Sequence, residues 1–410
     1  MIFPYNPANF DKLWAMAHVM VLNCGSSSVK FALVETSTAT ALAAGLVENL
    51  GGQARIKGSG PQGKTNIDIP AKDHAQALES VVEFLRTQGL FSKPPAVIGH
   101  RVVHGGERFS SSVLINDEVL EAIRSCNGLA PLHNPANLIG IEVAGRVFPG
   151  VPQVAVFDTA FHQTIPTHAF LYPVPMSLYR EKGVRRYGFH GTSHRYVSAK
   201  TAEILGKPIK ELHLLTAHLG NGCSACAVRA GESVDTTMGL TPMEGIPMGT
   251  RSGSIDPGLH RFLHDAMGWD SARIDQVLNK ESGLLGLSEL SNDMRTLAQA
   301  SAEGHEGAHM AIEVFCYRLA KELGALATAL PRIDALVFTG GIGENSALVR
   351  AKTLEHLSIF GFEVDQARNI AHGTYTQGRI TRDSSAVAMV VSTNEELLIA
   401  LDAEHIASRS

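Results

Sequence analysis

Two segments of the chain share one pattern: a β-strand, a tight polar turn containing glycine, and a second strand. The first covers residues 19–35 (VMVLNCGSSSVKFALVE), and the second covers residues 212–228 (LHLLTAHLGNGCSACAV), about half the chain later. Glycine lets the backbone approach a ligand closely, and backbone N–H groups and hydroxyls can then bind an anion. The pattern predicts two phosphate-binding hairpins, and for the first alone a serine-rich hairpin without a ligand is an equal alternative.

A third glycine turn lies late in the sequence. Residues 338–345 (FTGGIGEN) follow the apolar run 335–338 and lead into a helical pattern over residues 346–357. Two similar hairpins, one in each half, and this strand–glycine–helix turn together predict a nucleotide bound between two related α/β domains.

Length and composition agree with that prediction. A chain of 410 residues is long for one hydrophobic core, so two domains are expected. Hydrophobic residues make up 44% and charged residues 18%, which is typical of a soluble globular protein. The net charge of −5 gives no reason to expect nucleic acid or an anionic membrane as a partner. The five cysteines are odd in number and scattered, which favours a reducing cytoplasm over a disulfide framework.

The N-terminus does not resemble a targeting segment. No apolar run approaches the ~20 residues that a membrane-spanning helix needs, and residues 1–18 lack the basic and continuous apolar parts of a signal peptide. We expect a loose extension there, with Met16 and Met20 as alternative translation starts.

Four short motifs match known binding signatures but lie in the wrong context. Residues 58–65 (GSGPQGKT) satisfy the P-loop pattern, yet alternating segments flank them and predict a hairpin instead of a strand followed by a helix. His190 and His194 have zinc-ligand spacing without the glutamate that would activate a zinc-bound water. Residues 223–226 (CSAC) and 220–225 (GNGCSA) imitate redox, zinc or dinucleotide motifs, but both lie in a β pattern with no helix after them.

Candidate catalytic residues lie at the ends of predicted strands and in irregular loops. Asp158 follows a buried strand, at the end where open α/β sheets place chemistry. Residues 100–107 (HRVVHGGE) place Arg101 and two histidines between a strand end and a glycine turn, which fits either an anion site or a solvated loop. Residues 236–258 contain five glycines and three prolines around Arg251, which predicts a loop shaped over a site.

This set of residues suits phosphoryl transfer. The transition state spreads negative charge over the phosphoryl oxygens, so catalysis requires positioned cations and a metal ion that bridges phosphates. The donors would be Lys30, Arg101, His190 and Arg251, and the oxygen ligands for a metal ion or its waters would be Asn23, Asp158 and Glu395. Glu395 would also be favoured at the start of a terminal helix for reasons unrelated to function.

The acceptor can be narrowed by its charge. An alcohol or sugar needs a carboxylate base to remove its proton, whereas a carboxylate acceptor is already ionised and needs cations to hold it. Two arginines and several loop histidines around one acidic residue favour an anionic acceptor and disfavour a sugar kinase.

Nine segments, in the same order and spread over nearly the whole chain, resemble the short-chain carboxylate (acetate/propionate) kinase family. They are residues 22–30, 99–107, 130–137, 157–164, 187–194, 217–224, 238–257, 338–345 and 393–396. The resemblance implies an α/β fold, a duplicated ribonuclease-H-like unit of the sugar kinase/Hsp70/actin type, with ATP in a cleft between two domains. It implies an extension over residues 1–18, an N-terminal domain over 19–163 joined by the C-terminal helix 396–410, and a nucleotide-binding domain over 164–395.

The resemblance also implies a role for each residue that matches a family motif. Asn23 and Glu395 would bind Mg²⁺, for which Mn²⁺ could substitute. The catalytic set would be Asp158 as an acidic residue, His190 and Arg251 as stabilisers of the in-line transition state, and Arg101, which would also hold the substrate carboxylate. The acyl methyl group would lie against Val103, Leu132, Phe189 and Pro242. The nucleotide would be bound by Lys30, His218, Leu219, Gly220, Asn221, Gly222, Asp293, Met294, Arg295, Gly341, Ile342, Gly343, Glu344 and Asn345.

The activity implied is reversible phosphoryl transfer from ATP to acetate, giving acetyl phosphate and ADP, in a cytoplasmic homodimer. Propionate kinase is the near alternative, because one methylene in an apolar pocket is worth only about 1–3 kcal/mol; a bulky Val103 favours acetate. The other alternative is an ATPase switch of the Hsp70/actin type, for which no partner-binding region remains in the chain.

Two positions depart from the family pattern. Ser254 stands where the family usually has an acidic residue, and Cys24 replaces a more usual small residue. We expect Ser254 to loosen the loop that carries Arg251.

Overall fold

The computed structural model describes residues 18–131 and 133–409. These residues group into two units, one up to Gln163 together with the segment from Asn394 onward, and the other Thr164–Thr393. Leu132 and all but the last residue of the predicted extension 1–18 lie outside the described residues.

The first unit is built on an eight-stranded sheet. Its strands are β1 (His18–Gly25), β2 (Ser28–Glu35), β3 (Thr40–Glu48), β4 (Arg55–Gly60), β5 (Gly63–Asp68), β6 (Val97–Val102), β7 (Val113–Leu114) and β8 (Gln153–Phe157). They lie in the order β5-β4-β3-β2-β1-β6-β8-β7. The pairs β1/β6 and β6/β8 are parallel and the other pairs are antiparallel. The apolar residues of β1 are buried, as expected for a central strand covered on both faces.

Four helices cover this sheet: α1 (His74–Thr87), α2 (Asp117–Ser125), α3 (Asn134–Val147) and the C-terminal helix (Glu395–Ala407). The helical spacing of apolar residues over residues 73–88 predicts an amphipathic helix, and α1 confirms it. Asp73 caps the first turn by accepting from the Gln76 N–H at 2.9 Å. Close helix–strand packing requires glycine at two positions. A Cβ on Gly99 of β6 would lie 2.7 Å from Ile399 of the C-terminal helix, and one on Gly140 of α3 would lie 2.4 Å from the Cys24 sulfur.

The second unit contains a five-stranded sheet of β9 (His213–Leu219), β10 (Cys223–Arg229), β11 (Glu232–Thr236), β12 (Ala335–Thr339) and β13 (Ala388–Val390). The order is β11-β10-β9-β12-β13, with β9/β12 and β12/β13 parallel and the rest antiparallel. The strands β3-β2-β1-β6-β8 of the first unit have the same order and directions. This repetition confirms the predicted duplicated ribonuclease-H-like α/β fold.

Eleven helices of the described chain belong to the second unit. They are α4 (Thr167–Phe170), α5 (Met176–Lys182), α6 (Gly191–Leu205), α7 (Gly258–Met267), α8 (Ser271–Lys280), α9 (Gly283–Ser288), α10 (Met294–Ala302), α11 (Glu306–Ala327), α12 (Gly340–Asn345), α13 (Ala347–His356) and α14 (Gln366–Ile370). The longest, α11, is apolar on the side that packs against α9, α10 and α13.

Several local predictions can be compared with these elements. The three glycine turns and their strands are confirmed, and residues 58–65 lie in the β4–β5 hairpin, as expected for a false P-loop. Three boundaries were wrong. His100 and Arg101 lie inside β6 and not after it. The helical pattern over residues 195–205 predicts a helix from Arg195, but α6 begins at Gly191. The sequence at residues 283–286 predicts an interruption of the helical region 259–330, but these residues belong to α9. In each case tertiary packing outweighs the weak local preference of glycine or of polar residues for a loop.

Candidate functional sites in the two units

In the first unit, Arg101 and Asp158 form a two-point ion pair. Arg101 donates from Nε to Oδ1 at 3.0 Å and from Nη2 to Oδ2 at 2.7 Å. Asp158 is buried, with 2% of its side chain exposed, whereas 20% of the Arg101 side chain remains exposed. Burial disfavours the charged guanidinium, but the negative charges of Asp158, Glu395 and Glu396 outweigh it and raise the pKa of Arg101.

The pairing follows from strand register. Arg101 of β6 lies opposite Val156 of β8 in a parallel pair, and Asp158 comes two residues later, where the side chain returns to the same face. A guanidinium has five N–H groups, and two of them go to Asp158. The remaining three form no hydrogen bond with the residues that the structure describes, and they can bind a ligand on the exposed side.

The loop after β6 is held by side chains. Asn137 accepts from the Val103 N–H at 3.1 Å, and Asn134 accepts from the His104 N–H at 3.1 Å. The two histidines of this segment do not supply the positive charge that the sequence predicted. His100 is buried against Gln153, and burial lowers the pKa of both His100 and His104 to about 4. Arg101 is therefore the cation of this segment at neutral pH.

A small cavity of about 50 Å³ lies beside Arg101. Its lining includes two residues predicted to bind a metal ion and one predicted to bind the nucleotide; the full lining is Val21, Asn23, Lys30, Phe31, Arg101, Glu395, Glu396 and Ile399. Asn23 and Lys30 are cross-strand partners in the β1–β2 hairpin, which explains why both reach it. Lys30 forms an ion pair with Glu396. Burial raises the pKa of Glu396, but Lys30 and Arg101 outweigh that effect and lower it.

The amide and carboxylate oxygens that line this cavity are suitable ligands for a magnesium ion. Amide and carboxylate oxygens are its preferred protein ligands, and Mg²⁺ keeps several waters and substrate oxygens in place of a full protein cage. A volume of this size has room for a few waters. In the described part of the chain there is no cluster of three or more His, Cys, Asp or Glu side chains arranged around a metal position, so the ion would be held by few protein ligands.

In the second unit, His190 lies beside His218, at the carboxyl end of the central strand β9. Their ring centroids are 4.4 Å apart. His190 precedes α6 in a left-handed conformation (φ 56°), which directs its ring toward β10, where Nδ1 is 2.9 Å from the Ser224 hydroxyl. His218 Nδ1 is 2.8 Å from the Ser193 hydroxyl. Hydroxyl partners therefore fix the orientation of both rings.

The same Ser224 hydroxyl also reaches the second histidine of the H-x-x-x-H motif. His194 is fully buried, and its ring nitrogens lie 2.8 Å from Ser224 and 2.7 Å from Thr216. Both ring nitrogens of His194 are thus engaged by hydroxyls and not directed at a metal position.

Arg251 reaches this edge from the irregular segment between β11 and α7. Its Nη1 donates to the Pro242 carbonyl at 2.9 Å. A Cβ on Gly222 would lie 3.5 Å from the His190 ring and 3.8 Å from Arg251 Nη1, so both side chains border this glycine. Among the residues that the structure describes, no carboxylate forms an ion pair with Arg251. Burial consequently lowers the pKa of Arg251, and the described residues place no carboxylate in an ion pair with its positive charge.

The loop around Arg251 is shaped by specific contacts, as predicted. Ser254 donates its N–H to the Gly245 carbonyl at 2.8 Å and accepts from the Gly245 N–H at 2.9 Å through its hydroxyl. Ser254 thus closes the loop through these two hydrogen bonds with Gly245. At the other end, Glu244 is held by Arg186 at 2.8 Å and by Tyr172.

The predicted nucleotide turns meet within this unit. A Cβ on Gly340 (φ 76°) would lie 2.8 Å from the Leu219 carbonyl, so only glycine allows the β12–α12 turn to contact the β9–β10 hairpin. A Cβ on Gly249 would lie 2.0 Å from Asn221 Oδ1, and Asn292 donates to that oxygen at 3.1 Å. The turn at residues 218–222 is therefore in contact with both the Arg251 loop and the start of α10.

The remaining predicted nucleotide residues have different surroundings. Asp293 caps α10 and pairs with Arg295 at 2.8 Å, and this hydrogen bond lowers the pKa of Asp293 to about 2. Arg295 is 89% exposed, whereas Met294 is buried. A second cavity, of about 320 Å³, borders α12 and is lined by Glu344, Asn345, His372, Gly373, Thr374, Gly378, Val390 and Ser392.

The residues predicted to contact a methyl group belong to both units. Val103 is buried in the first unit, and Phe189 is buried in the second, directly before His190. Pro242, in the second unit, lies next to Arg251, because its carbonyl accepts a hydrogen bond from the Arg251 guanidinium. Leu132 lies outside the described residues.

Sequence reasoning missed the groups that orient these side chains. Glu396 escaped notice although it adjoins Glu395 at a helix start, a pattern that could have indicated it. Ser193, Ser224, Asn134 and Asn137 gave no signal of their own, because their roles depend on partners remote in sequence.

The five cysteines are free and buried. Burial raises the pKa of Cys223 and Cys226 to about 12, so neither thiol of the C-x-x-C motif is available as a thiolate at neutral pH. None of the described helices combines the length and apolar character that crossing a membrane would require.

The fold and these two groups of residues define a nucleotide-dependent phosphotransferase. Known proteins identify its family. Residues 18–401 match the model of the acetokinase family. An acetate kinase of Stutzerimonas stutzeri is 57% identical over 94% of this chain and 97% of its own length. The solved propionate kinase of Francisella tularensis is 44% identical with a TM-score of 0.91, covering 95% of this chain and 100% of its own. The acetate kinase of Porphyromonas gingivalis is 43% identical with a TM-score of 0.89, over 95% and 99%.

The chain belongs to the acetokinase family. The resemblance inferred from the nine sequence segments is thereby confirmed.

Proposed function

We propose that this protein is an acetate kinase that transfers a phosphoryl group reversibly from ATP to acetate, giving acetyl phosphate and ADP. The observation that carries the proposal is that two arginines, Arg101 and Arg251, differ in their ion-pair partners. Arg101 is oriented by Asp158 and keeps three N–H groups for a small carboxylate. Arg251 has no carboxylate partner among the described residues and can take up negative charge from a phosphoryl group.

In this mechanism the first unit binds the acceptor, acetate, and provides the residues that would hold the metal ion. Arg101 would bind the acetate carboxylate, and Asp158 would act through Arg101 by fixing its plane. Acetate is ionised at neutral pH, so no base is needed to activate it. Asn23 and Glu395 would hold Mg²⁺, with ATP as the co-substrate; the ion would offset repulsion between the phosphate oxygens.

The second unit supplies the nucleotide turns and the charge that stabilises transfer. The turn at residues 218–222 and the segment 341–345 would hold the nucleotide, with Lys30 of the first unit and residues 293–295 as further contacts. Arg251 and His190 would donate to the equatorial oxygens of the phosphoryl group in the in-line transition state. Preorganised donors of this kind are worth most where the site is partly desolvated.

A direct assay tests the activity. The purified protein with Mg²⁺, ATP and acetate should form acetyl phosphate, detected as its hydroxamate, together with one ADP per acyl phosphate. ADP formation that does not depend on acetate, without hydroxamate, would contradict the proposal and favour an ATPase switch. Removal of the metal with EDTA should abolish turnover, and Mg²⁺ or Mn²⁺ should restore it.

Propionate is the second candidate acceptor, because the propionate kinase of Francisella tularensis has a closely similar structure. Val103, a β-branched residue, would limit the room for a longer acyl chain, which favours acetate. Comparison of kcat/KM for acetate, propionate and butyrate decides between them, and a preference for propionate would overturn our choice.

We also propose a cytoplasmic homodimer, as the family resemblance implies. The free thiols of all five cysteines support a reducing compartment. Light scattering after size-exclusion chromatography should give twice the chain mass of 43.8 kDa; a mass of one chain at micromolar concentration would contradict the dimer.

A further inference from the structure

Arg350, in α13, is fully buried and has no ion-pair partner among the described residues. Its five N–H groups are matched by five neutral acceptors. Nε donates to Asn369 Oδ1 at 2.9 Å, and Nη1 donates to the carbonyls of Gly343 at 2.8 Å and Glu344 at 2.9 Å. Nη2 donates to the Asn369 carbonyl at 2.7 Å and to His372 Nδ1 at 2.9 Å. A guanidinium satisfied in this way is a rigid connector between segments.

Two of these acceptors, the carbonyls of Gly343 and Glu344, belong to the last four carbonyls of α12. That helix has six residues, too few to be stable alone, and carbonyls at a helix C-terminus lack partners within the helix. A cation there also interacts favourably with the negative end of the helix dipole. Burial lowers the pKa of Arg350 to about 10, so it remains charged at neutral pH. Arg350 therefore holds α12 by its C-terminal end.

The N-terminal end of α12 is held by a different group. Glu344 accepts from the Gly340 N–H at 3.0 Å and from the Thr393 N–H at 3.3 Å. Gly340 in turn lies against Leu219 of the β9–β10 hairpin. The position of α12 against the 218–222 turn thus depends on contacts at both ends, of which Arg350 supplies the one directed toward α14.

We propose that Arg350 is a positioning residue for the nucleotide: by fixing Gly343 and Glu344, it sets the segment 341–345 in the place from which it contacts ATP. This inference rests on the proposed function, which assigns that segment to nucleotide binding. Arg350 itself is buried and contacts neither substrate.

The test compares Arg350→Lys and Arg350→Met with the parent protein. Lysine keeps the charge but has three N–H donors on one atom, so it cannot join α12, Asn369 and His372 together. We expect both variants to raise the KM for ATP and the Kd for ATP about 10- to 100-fold, by analogy with the loss on removing a side chain that orients metal ligands. The KM for acetate should change less than about twofold, since Arg101 belongs to the other unit.

A matched control separates positioning from general loss of stability. Arg368→Met removes an arginine of the neighbouring helix α14 that pairs with Asp383 and the Thr381 carbonyl; none of its hydrogen bonds to the described residues goes to α12. It should leave the KM for ATP unchanged, even at an equal loss in Tm. Equal increases in KM for ATP in both variants, or none in Arg350→Lys, would overturn the inference.

A milder variant serves if Arg350→Met does not fold. His372→Ala removes one acceptor and leaves the two α12 carbonyls bound to Arg350. We expect a smaller increase in the KM for ATP than with Arg350→Lys, and a larger one would contradict the assigned role. Failure of the inference is distinguishable from failure of the proposed function, because the parent protein's acyl-phosphate formation tests the latter alone.

Discussion

Arg101 and Arg251 are both partly buried cations, one in each unit, but their surroundings are opposite. Arg101 has a two-point partner in Asp158, and neighbouring carboxylates raise its pKa. Arg251 contacts a carbonyl and a methionine sulfur, and burial lowers its pKa. In the first unit, carboxylates of the protein itself neutralise the positive charge of Arg101. In the second, no described carboxylate does so for Arg251.

The difference indicates what each arginine is prepared for. A cation paired with a buried acid is held in one orientation and is suited to position a substrate that is already charged. A partly buried cation without an anionic partner costs folding free energy, and an incoming phosphoryl group would remove that cost. A cation of this kind would bind the negative charge of the phosphoryl group more strongly in the transition state than in the ground state, which is the condition for raising kcat.

The largest expected effect is on turnover. Arg251→Ala should lower kcat by about 10³-fold or more, as for other arginines that stabilise phosphoryl transfer, with the KM for acetate changed little. Arg101→Ala should instead raise the KM for acetate most strongly. Steady-state kinetics with the hydroxamate assay measure both. Small and equal effects of the two substitutions would break the comparison, and the exposed Arg273→Ala is the control.

The next effect is on stability, and its sign should differ between the units. Arg101→Met leaves Asp158 buried without its partner and should destabilise the fold by about 3–5 kcal/mol. Arg251→Met leaves no carboxylate unpaired in the described structure and should be neutral or stabilising. Urea unfolding of each variant measures the two free energies.

A double variant sharpens this result. Arg101→Met/Asp158→Leu removes both charges of the pair and should recover most of the stability lost in Arg101→Met, because two apolar groups leave nothing unsatisfied. A double variant as unstable as the single one would mean that packing of the Arg101 stem, and not charge, accounts for the loss.

The smallest effect concerns pH and tests whether Arg101 is the only cation of its segment. The pKa of His100 is about 4 in the fold and about 6.5 in an unfolded chain. The folded state therefore favours the neutral ring. Its contribution, at most about 3 kcal/mol, is present above pH 6.5 and is lost as the pH falls toward 4.

The variant His100→Gln should flatten this dependence without abolishing it, since His104 has a similarly lowered pKa. Unfolding free energies between pH 4 and 7 measure the slope for both proteins. An unchanged slope would mean that folding does not lower the pKa of His100, contrary to the burial of its ring.

Much of the fold could be predicted from the sequence. The hairpins at residues 19–35 and 212–228, the capped helix α1 and the strand–glycine–helix turn at Gly340 all have local signatures, because periodicity, caps and glycine act over a few residues. Boundaries were less accurate where tertiary contacts compete with local preference, as at Gly191 and in β6.

The candidate site was predictable in its residue types but not in their states. The sequence analysis chose Asn23, Lys30 and Glu395 as candidate site residues for their chemistry, and all three line one cavity in the structure. The histidines of residues 100–104 were interpreted as cations, and burial makes them neutral. Ser254 was noted as a departure from the family pattern, and the structure shows that its hydroxyl accepts a hydrogen bond from the Gly245 N–H.

The sequence by itself determined the two similar hairpins, the glycine turns and the family of the chain, since these depend on the order and spacing of residues. Only the tertiary structure decided that Arg101 is paired, that Arg251 has no carboxylate partner in the part of the chain that the structure describes, and that Arg350 joins α12 to α14. The reason is that the charge state and orientation of a side chain depend on the atoms around it. Those atoms come from segments far apart in the chain: Arg101 and Asp158 are separated by 57 positions.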